Sequence, residues 1–555
     1  MNHTVADFVI KQLVEWGIDT GFGLPGDSFF PLIEAVDREQ RFRFFNVRNE
    51  TAAGYMASGY AKVKGRPAVC ITDGGPGTVN LLNGLFDASN DGVPVIAVTG
   101  QVPRDKMFTQ YIQSSNQNAV FKEAVAYTAT VTVPEQAGQL LETAVKDALD
   151  MQKAVHLAIP EDVQSMQYPG TVSSGLIMLR SAPKLDMRQV EAAVSLLNTA
   201  RRPVILAGYG ARGLGDLVAG LAEKIGAAIV VSSVAKGAVH ERHPQVVGVL
   251  GEGGSEPARR IIDDADVVLI AGSTWWPEGY VPKNARVIQI DINPRHLGAG
   301  KDVAVGVLGD TREVLPLLTE GISGPRDAYW MQHVKEAKRE RDAYIDHAAG
   351  EDSFPLHPGR LIHALEKQVP ENAVVVLDTG DHTLWFLSSF RASFQDVILS
   401  GMWRAMGYGL PAALGAKVAA PDRPVLALCG DGGLAQLPSE LATAAQYNLP
   451  VAVVVSSNQA WALEGYKQVV RGYSSTAVGF SGIDFAALAA SMGVQSQTIN
   501  SPEDLDQALE KAFTSNAPYL LQVPTALSPA PELAREMGGV RAFNPQGMHP
   551  TSTPV

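Results

Sequence analysis

The sequence predicts an α/β protein made of three doubly wound parallel-sheet domains. Three observations carry this expectation. Short apolar, β-branched runs recur along the chain, each closed by a turn rich in Gly, Asp or Asn, and such runs suit strands buried on both faces. The segments between them show helical spacing, so strand and helix alternate in the order that yields parallel sheets covered by helices. Two stretches, 167–184 and 351–358, are punctuated by Ser, Gly and Pro and read as linkers. At 555 residues there is room for several domains of ordinary size. The expected boundaries are 1–170, 185–345 and 355–530, with 531–555 as a tail or lid.

In the first third, residues 4–16 carry apolar side chains at Val5, Phe8, Val9, Leu13 and Val14, which is helical spacing. The run Gly21-Phe22-Gly23-Leu24-Pro25-Gly26 has the letters of a dinucleotide-binding turn. Pro25 and the absence of a strong strand signal before it speak against that reading. A short strand at 41–47 leads through Arg48-Asn49 to Glu50, at the start of a small-residue helix, 51–63. A carboxylate there is favoured by the helix dipole, and a plain helix-start acid is one reading of it. Strand 67–72 runs into Asp73-Gly74-Gly75-Pro76-Gly77-Thr78-Val79-Asn80, and strand 93–99 into Gly100-Gln101-Val102-Pro103. The segment 109–121 contains Ile112-Gln113-Ser114, where Gln113 is either a polar loop residue or a substrate contact.

The middle third has strands at 203–207, 228–231, 267–271 and 286–292, enough for a parallel sheet of about six strands. The first is followed by Gly208-Tyr209-Gly210-Ala211-Arg212-Gly213, the third by Gly272-Ser273-Thr274-Trp275-Trp276-Pro277, and Asp291 closes the fourth. Gly-rich turns without a ligand are common at such places.

The last third opens with strand 374–377 and Asp378-Thr379-Gly380-Asp381-His382. Residues 402–417 contain Met406 in the run Met-Gly-Tyr-Gly-Leu-Pro. Strand 425–429 ends in Gly430-Asp431-Gly432-Gly433, a helix follows at 436–447, and strand 451–455 ends in Ser456-Ser457-Asn458. Parallel strands deliver their carboxyl ends to one edge of a sheet, so Asp431 and Asn458, 27 positions apart, can meet in one crevice. Glycines there let a polyanion approach the backbone, and a following helix start points N–H groups at it. A carboxylate beside an amide oxygen suits Mg²⁺, which takes a few oxygens plus phosphate and water. The site therefore reads as a diphosphate held through Mg²⁺.

Composition narrows the partners. The net charge of −13 argues against nucleic acid or an anionic membrane as the main partner. No apolar stretch has the ~20 residues needed to cross a bilayer, and the amphipathic start does not read as a signal peptide. The two cysteines, Cys70 and Cys429, sit in apolar runs and read as small buried hydrophobes, so a reducing, cytoplasmic location is expected.

The segment from Gly430-Asp431-Gly432 to Asn458 resembles the thiamine-diphosphate (ThDP) motif of the 2-oxo acid decarboxylase and carboligase superfamily, which includes acetolactate synthases and pyruvate oxidases. The succession of strand, Glu50, helix, strand, Gly-Pro-Gly turn and Gly-Gln-Val-Pro resembles its pyrimidine-binding domain. The resemblance covers nearly all residues up to about 525. It implies metal ligands at Asp431, Asn458 and the backbone carbonyl of Ala460. It implies further cofactor contacts at Gly26, Pro76, Asn80, Gly380, Asp381, His382, Met406, Gly432, Gly433 and Leu463. Glu50 would bond N1′ of the aminopyrimidine and start removal of the thiazolium C2 proton. The family's His before this Glu is Asn49 here, and the first Asn of its usual Asn-Asn pair is Ser457.

The resemblance leaves the second half of the reaction open. The Gln113-Ser114 loop is similar to that of catabolic, flavin-free acetolactate synthases, and Gln113 would hold the substrate. Gly208, Gly210 and Arg212 resemble the flavin turn of pyruvate oxidases and, with Asp291, are the candidate FAD contacts. The segment at Trp275 is also oxidase-like. Biosynthetic acetolactate synthases carry an Arg where this chain has Glu278-Gly279-Tyr280. The expected function is ThDP- and Mg²⁺-dependent decarboxylation of a pyruvate-like 2-oxo acid with transfer to a carbonyl acceptor. An FAD-dependent oxidase and a non-catalytic paralogue are the alternatives. A homodimer or homotetramer is expected, with Glu50 and Asp431 meeting across the subunit interface.

Overall fold

The structure, a computed structural model, describes residues 3–175, 183–274, 280, 282, 284–324 and 327–538. It contains three six-stranded sheets, parallel in every pairing, with helices between the strands. The first holds β1 (Thr20–Gly23), β2 (Arg43–Asn46), β3 (Ala68–Thr72), β4 (Val95–Gln101), β5 (Tyr127–Thr130) and β6 (Ala154–Pro160), in the order β2-β1-β3-β4-β6-β5. The second holds β7 (Pro203–Ala207), β8 (Ala228–Ser232), β9 (Val246–Leu250), β10 (Val267–Ala271), β11 (Arg286–Asp291) and β12 (Val305–Leu308), in the order β12-β11-β10-β7-β8-β9. The third holds β13 (Val374–Leu377), β14 (Asp396–Leu399), β15 (Val425–Gly430), β16 (Ala452–Ser457), β17 (Gln495–Thr498) and β18 (Tyr519–Pro524), in the order β14-β13-β15-β16-β18-β17.

The first and third sheets thus share one topology, and the second has the strand order of dinucleotide-binding sheets. Each sheet has one place where the chain leaves adjacent strands in opposite directions: β1/β3, β7/β10 and β13/β15. Crevices form at the carboxyl ends of such strand pairs. These three points are where the Gly-rich turns of the sequence fall.

Several elements differ from expectation in extent. Gly21 and Gly23 lie inside β1, so this glycine run is itself a buried strand. β1 is short and carries only one large apolar side chain, Phe22, which is why the periodicity did not reveal it. The helix expected at 436–447 is two helices, Asp431–Leu434 and Glu440–Gln446. The first begins on Asp431 itself because its Gly-Gly pair packs tightly instead of forming an open turn. The tail holds a helix, Pro531–Glu536, with Pro in its first turn; residues 539–555, and Trp275 to Gly279 of the oxidase-like segment, lie outside the described residues. Among the described residues no helix is long and apolar enough to cross a membrane.

The first and third units share one hydrophobic core, in which Phe22, Tyr55, Leu81 and Val95 join Val374, Tyr408, Leu414 and Val425. Its centre is the contact between helix Glu50–Lys64 and helix Gly409–Ala419. Asn49 caps the first helix by accepting the Thr51 N–H at 2.9 Å. Small residues then let the two backbones touch: a methyl group on Gly59 would overlap the carbonyl of Ala412, and one on Gly415 the carbonyl of Met56. Gly54 and Gly84 bring helix Pro76–Asn90 against the same helix in the same way.

Gly415→Val is therefore expected to cost about 3 kcal/mol or more, because the obstruction is backbone and not a movable side chain. Gly220→Ala is the matched control. Gly220 sits inside helix Gly215–Ile225 with nothing within 4 Å of a methyl group, and the change should add roughly 0.5–1 kcal/mol. Urea unfolding followed by tryptophan fluorescence checks both, on the first transition of this multi-unit chain.

Candidate active site

The crevice of the third sheet is built from the turns after β13, β15 and β16. Asp431, at the end of β15, is buried, and burial raises its carboxyl above the usual range. It accepts the N–H of Gly432 at 2.8 Å and of Gln459 at 2.6 Å, with the Ser457 hydroxyl at 3.3 Å. Asn458 Oδ1 accepts the Ala460 N–H at 3.1 Å. Gln459 adopts a left-handed conformation, φ 58°. The bond from Gln459 to Asp431 closes the gap between the two turns, so Asp431, Asn458 and Ala460 are brought together. Carboxylate and amide oxygens carry more acceptor sites than these bonds use, so the set retains capacity for a hard cation.

On the other side stands the turn after β13. Gly380 precedes helix Asp381–Ser389, whose first residues are Asp381 and His382. Both are buried. Burial pushes the Asp381 carboxyl up to about 8 and the His382 imidazole down to about 4. Among the described residues Asp381 Oδ1 and His382 Nε2 have no hydrogen-bond partner. The His382 ring lies over both glycine turns: a methyl on Gly380 would be 2.7 Å from its Cε1, and one on Gly430 3.0 Å from its Nδ1. Buried polar atoms without partners are costly and call for a ligand or ordered water.

Two residues that pattern reading missed complete this edge. Asp378 is fully buried, and burial holds its carboxyl up at about 7 although the N–H groups of Thr379, Gly407, Tyr408 and Gly409 all favour the charged form. It packs so closely that a methyl on Gly433 would overlap its carboxylate, while one on Gly432 would overlap the Trp461 ring. The signal for Asp378 was its place directly after a strand at a switch point. Glu440 accepts the N–H of Arg48 at 3.0 Å and a further N–H from Asn49, fastening the start of the Glu50 helix to the third unit. Nothing in the sequence pattern marks that contact. Met406 sits in the loop after β14, between Arg404 and Gly407, both with positive φ, and is 37% exposed. Leu463 is half-buried on helix Ala462–Val470.

At the switch point of the first sheet, Gly26 abuts Asp73, whose carboxylate accepts the Ser28 N–H at 2.9 Å. Gly75, φ 60°, turns the chain into Pro76 and the next helix. Asn80, in the second turn of that helix, donates its amide to Glu50 Oε2 at 2.9 Å, and Glu50 is 8% exposed. Gln113 is exposed and left-handed, φ 59°, with its backbone against Gly75. Among the described residues, the hydrogen-bond partner of the Glu50 side chain, Asn80, lies in the first unit, and those of Asp431 lie in the third.

The candidate flavin residues divide. Gly208 and Gly210 lie at the β7/β10 switch point, where Gly210 N–H reaches the Gly272 carbonyl at 2.9 Å and methyl groups on either would crowd Gly272. Arg212 is paired with Asp396 of the third unit at 3.2 Å and lies over the Tyr209 ring. Asp291 ends β11, as its position predicted, and is engaged by the Asn293 N–H at 2.8 Å and by His296 at 3.3 Å.

Comparison with known proteins shows a likeness in each of the three units. Residues 3–120 match the N-terminal TPP binding domain of thiamine pyrophosphate enzymes, 190–318 the central domain and 378–523 the C-terminal TPP binding domain. A Bacillus subtilis protein, YdaP, provisionally described as thiamine pyrophosphate-containing, is 31% identical, covering 94% of this chain and 92% of its own. Acetolactate synthase isozyme 1 large subunit of Escherichia coli is 30% identical over 94% of this chain and 93% of its own. Pyruvate oxidase of Lactiplantibacillus plantarum is 30% identical over 92% of this chain and 87% of its own. The chain belongs to the thiamine-diphosphate-dependent enzyme superfamily that includes acetolactate synthases and pyruvate oxidases.

Proposed function

We propose that this enzyme decarboxylates a pyruvate-like 2-oxo acid on ThDP and Mg²⁺ and transfers the resulting unit to a carbonyl acceptor, in the manner of an acetolactate synthase. The observation that carries the reading is the pairing of an oxygen-rich cluster, Asp431, Asn458 and Ala460, with two buried polar atoms lacking partners, Asp381 Oδ1 and His382 Nε2. The donor set fits the group. Oxygen ligands suit Mg²⁺, a divalent cation offsets the cost of ionising buried Asp431, and the N-terminus of helix Asp381–Ser389 suits a phosphate.

When bound, ThDP supplies a carbon nucleophile and an electron sink for decarboxylation. In this reading Asp431, Asn458 and the Ala460 carbonyl hold the metal, and Gly432, Gly433, Gly380, Asp381 and His382 line the diphosphate. Met406 and Leu463 shape the apolar pocket beside it. Gly26, Pro76 and Asn80 frame the pyrimidine. Asn80 occupies Glu50 Oε2, which leaves Oε1 to exchange a proton at pyrimidine N1′. Gln113 orients the substrate at the crevice mouth. The likeness to the superfamily extends the proposal to a homodimer or homotetramer with the site between subunits, and the domain limits 1–170, 185–345 and 355–530 belong to it too. Two buried, free cysteines accord with a cytoplasmic location. The polar side chains kept at Glu50, Asp431 and Asn458 speak against a non-catalytic role.

A second reading, an FAD-dependent pyruvate oxidase, is favoured by one observation. The central sheet has the strand order of dinucleotide-binding folds with Gly208 and Gly210 at its switch point.

Asp431→Ala is expected to abolish measurable ThDP binding in calorimetry while the circular dichroism spectrum stays that of the folded protein; wild-type affinity would remove Asp431 from the metal site. Glu50→Gln is expected to bind ThDP but to slow deuterium exchange at C2 by about 10²–10⁴, the scale of a lost acid–base group; an unchanged exchange rate would show that Glu50 has another role. With pyruvate, ThDP and Mg²⁺, acetolactate or acetoin should form without an electron acceptor. Acetate or acetyl phosphate formed only with FAD and an artificial acceptor would establish the oxidase instead.

A further inference from the structure

The loop that carries Met406 is held by the unit that carries Glu50. Lys62, on helix Glu50–Lys64, has a side chain only 4% exposed and reaches four groups with its ammonium. Its three N–H groups are shared among Asp91 at 2.7 Å, the Leu399 carbonyl at 2.9 Å, the Tyr408 hydroxyl at 3.1 Å and Asp87 at 3.3 Å. Asp91 and Asp87 belong to the first unit. Leu399 and Tyr408 bracket the loop between β14 and helix Gly409–Ala419 of the third. Asp91 then takes both N–H groups at the loop's start, Gly401 at 2.9 Å and Met402 at 2.8 Å. Further along, Trp403 donates its indole N–H to Asn83 at 2.7 Å and stacks on Phe86 with ring centres 4.6 Å apart.

Two helices therefore have functional residues at both ends. Glu50 and Asn80 lie near the N-terminal ends of helices Glu50–Lys64 and Pro76–Asn90, and Lys62 and Asp91 at their C-terminal ends. Buried ion clusters of this kind add little net stability over an apolar equivalent, so fixing one geometry is the better account of their retention. Attachment at Leu399, Gly401, Met402, Trp403 and Tyr408 restrains a loop that otherwise has two left-handed residues, Arg404 and Gly407.

We infer that Lys62 and Asp91 are positioning residues, which set the height of the Met406 loop in its cofactor pocket from the helices whose other ends present Glu50 and Asn80 to the neighbouring pocket. The inference rests on the proposed ThDP site and goes beyond it in assigning a role to residues that touch no cofactor.

The test uses the full chain saturated with ThDP and Mg²⁺, with Asp91→Asn, Lys62→Met and Trp403→Phe. The readouts are ThDP affinity by calorimetry, C2 deuterium exchange per bound cofactor by quenched-flow NMR, and the thermal unfolding midpoint. Asp91→Asn and Lys62→Met are expected to slow exchange roughly tenfold at saturation, since displacement of about 1 Å at a reacting centre is enough for such a loss. Trp403→Phe, at a 40%-exposed position where folding is not at risk, should shift exchange in the same direction by about threefold. A purely structural cluster would lower the unfolding midpoint and leave exchange per bound cofactor unchanged; that result in the folded variants overturns the inference. If the two cluster variants do not fold, Trp403→Phe decides alone, and a wild-type exchange rate in it overturns the inference. Failure of the wild-type protein to bind ThDP would be distinct, removing the proposed site itself.

Discussion

The contact between helices Glu50–Lys64 and Gly409–Ala419 is the constraint on which the rest of the structure depends. Two backbones approach so closely that a single methyl at Gly59 or Gly415 has no room. Dispersion and burial are strongest at such density, and the shared core around the contact makes the first and third units one body. Every candidate residue on the Glu50 helix thereby acquires a defined position relative to the third sheet. Glu440 reinforces the start of that helix through backbone N–H groups, and Lys62 its end.

Electrostatics at the third sheet's crevice follows from burial more than from charge pairing. Asp378, Asp381 and Asp431 lie within one short region, all with carboxyls raised by desolvation, and His382 beside them is lowered by the same cause. Burial is the largest influence on all four, and hydrogen bonds rather than cationic side chains are what oppose it. Concentrating that much ionisable material without a countercharge is unfavourable for the isolated protein. The divalent cation and diphosphate of the proposed function would relieve it.

The fold class was legible because parallel strands buried on both faces read as unbroken apolar runs, and the carboxyl ends of those runs carry the glycines and acids. β15 with Asp431 and β16 with Asn458 are clear instances. Other strands were less legible: β1 is half glycine, and β5, β6, β9, β12, β14, β17 and β18 are not among the runs read from the sequence, β6 and β18 although both are largely apolar and buried. Asp378 lay beside residues that were noticed yet was passed over, because a carboxylate after a strand usually only ends it. Asp91 and Lys62 were passed over for another reason, since on a helix they look like ordinary solvated charges.

The amino-acid sequence by itself determined the alternation of strand and helix, the three-unit organisation and the motif from Asp431 to Asn458, because these depend on neighbours in the chain and on the fixed direction of parallel strands. Only the tertiary structure decided which distant groups share a neighbourhood: Arg48 with Glu440, Lys62 with Leu399 and Tyr408, Arg212 with Asp396. Those pairings join residues more than a hundred positions apart, and they arise from how the faces of whole helices pack. A linear pattern carries the period of a face but not the identity of what covers it.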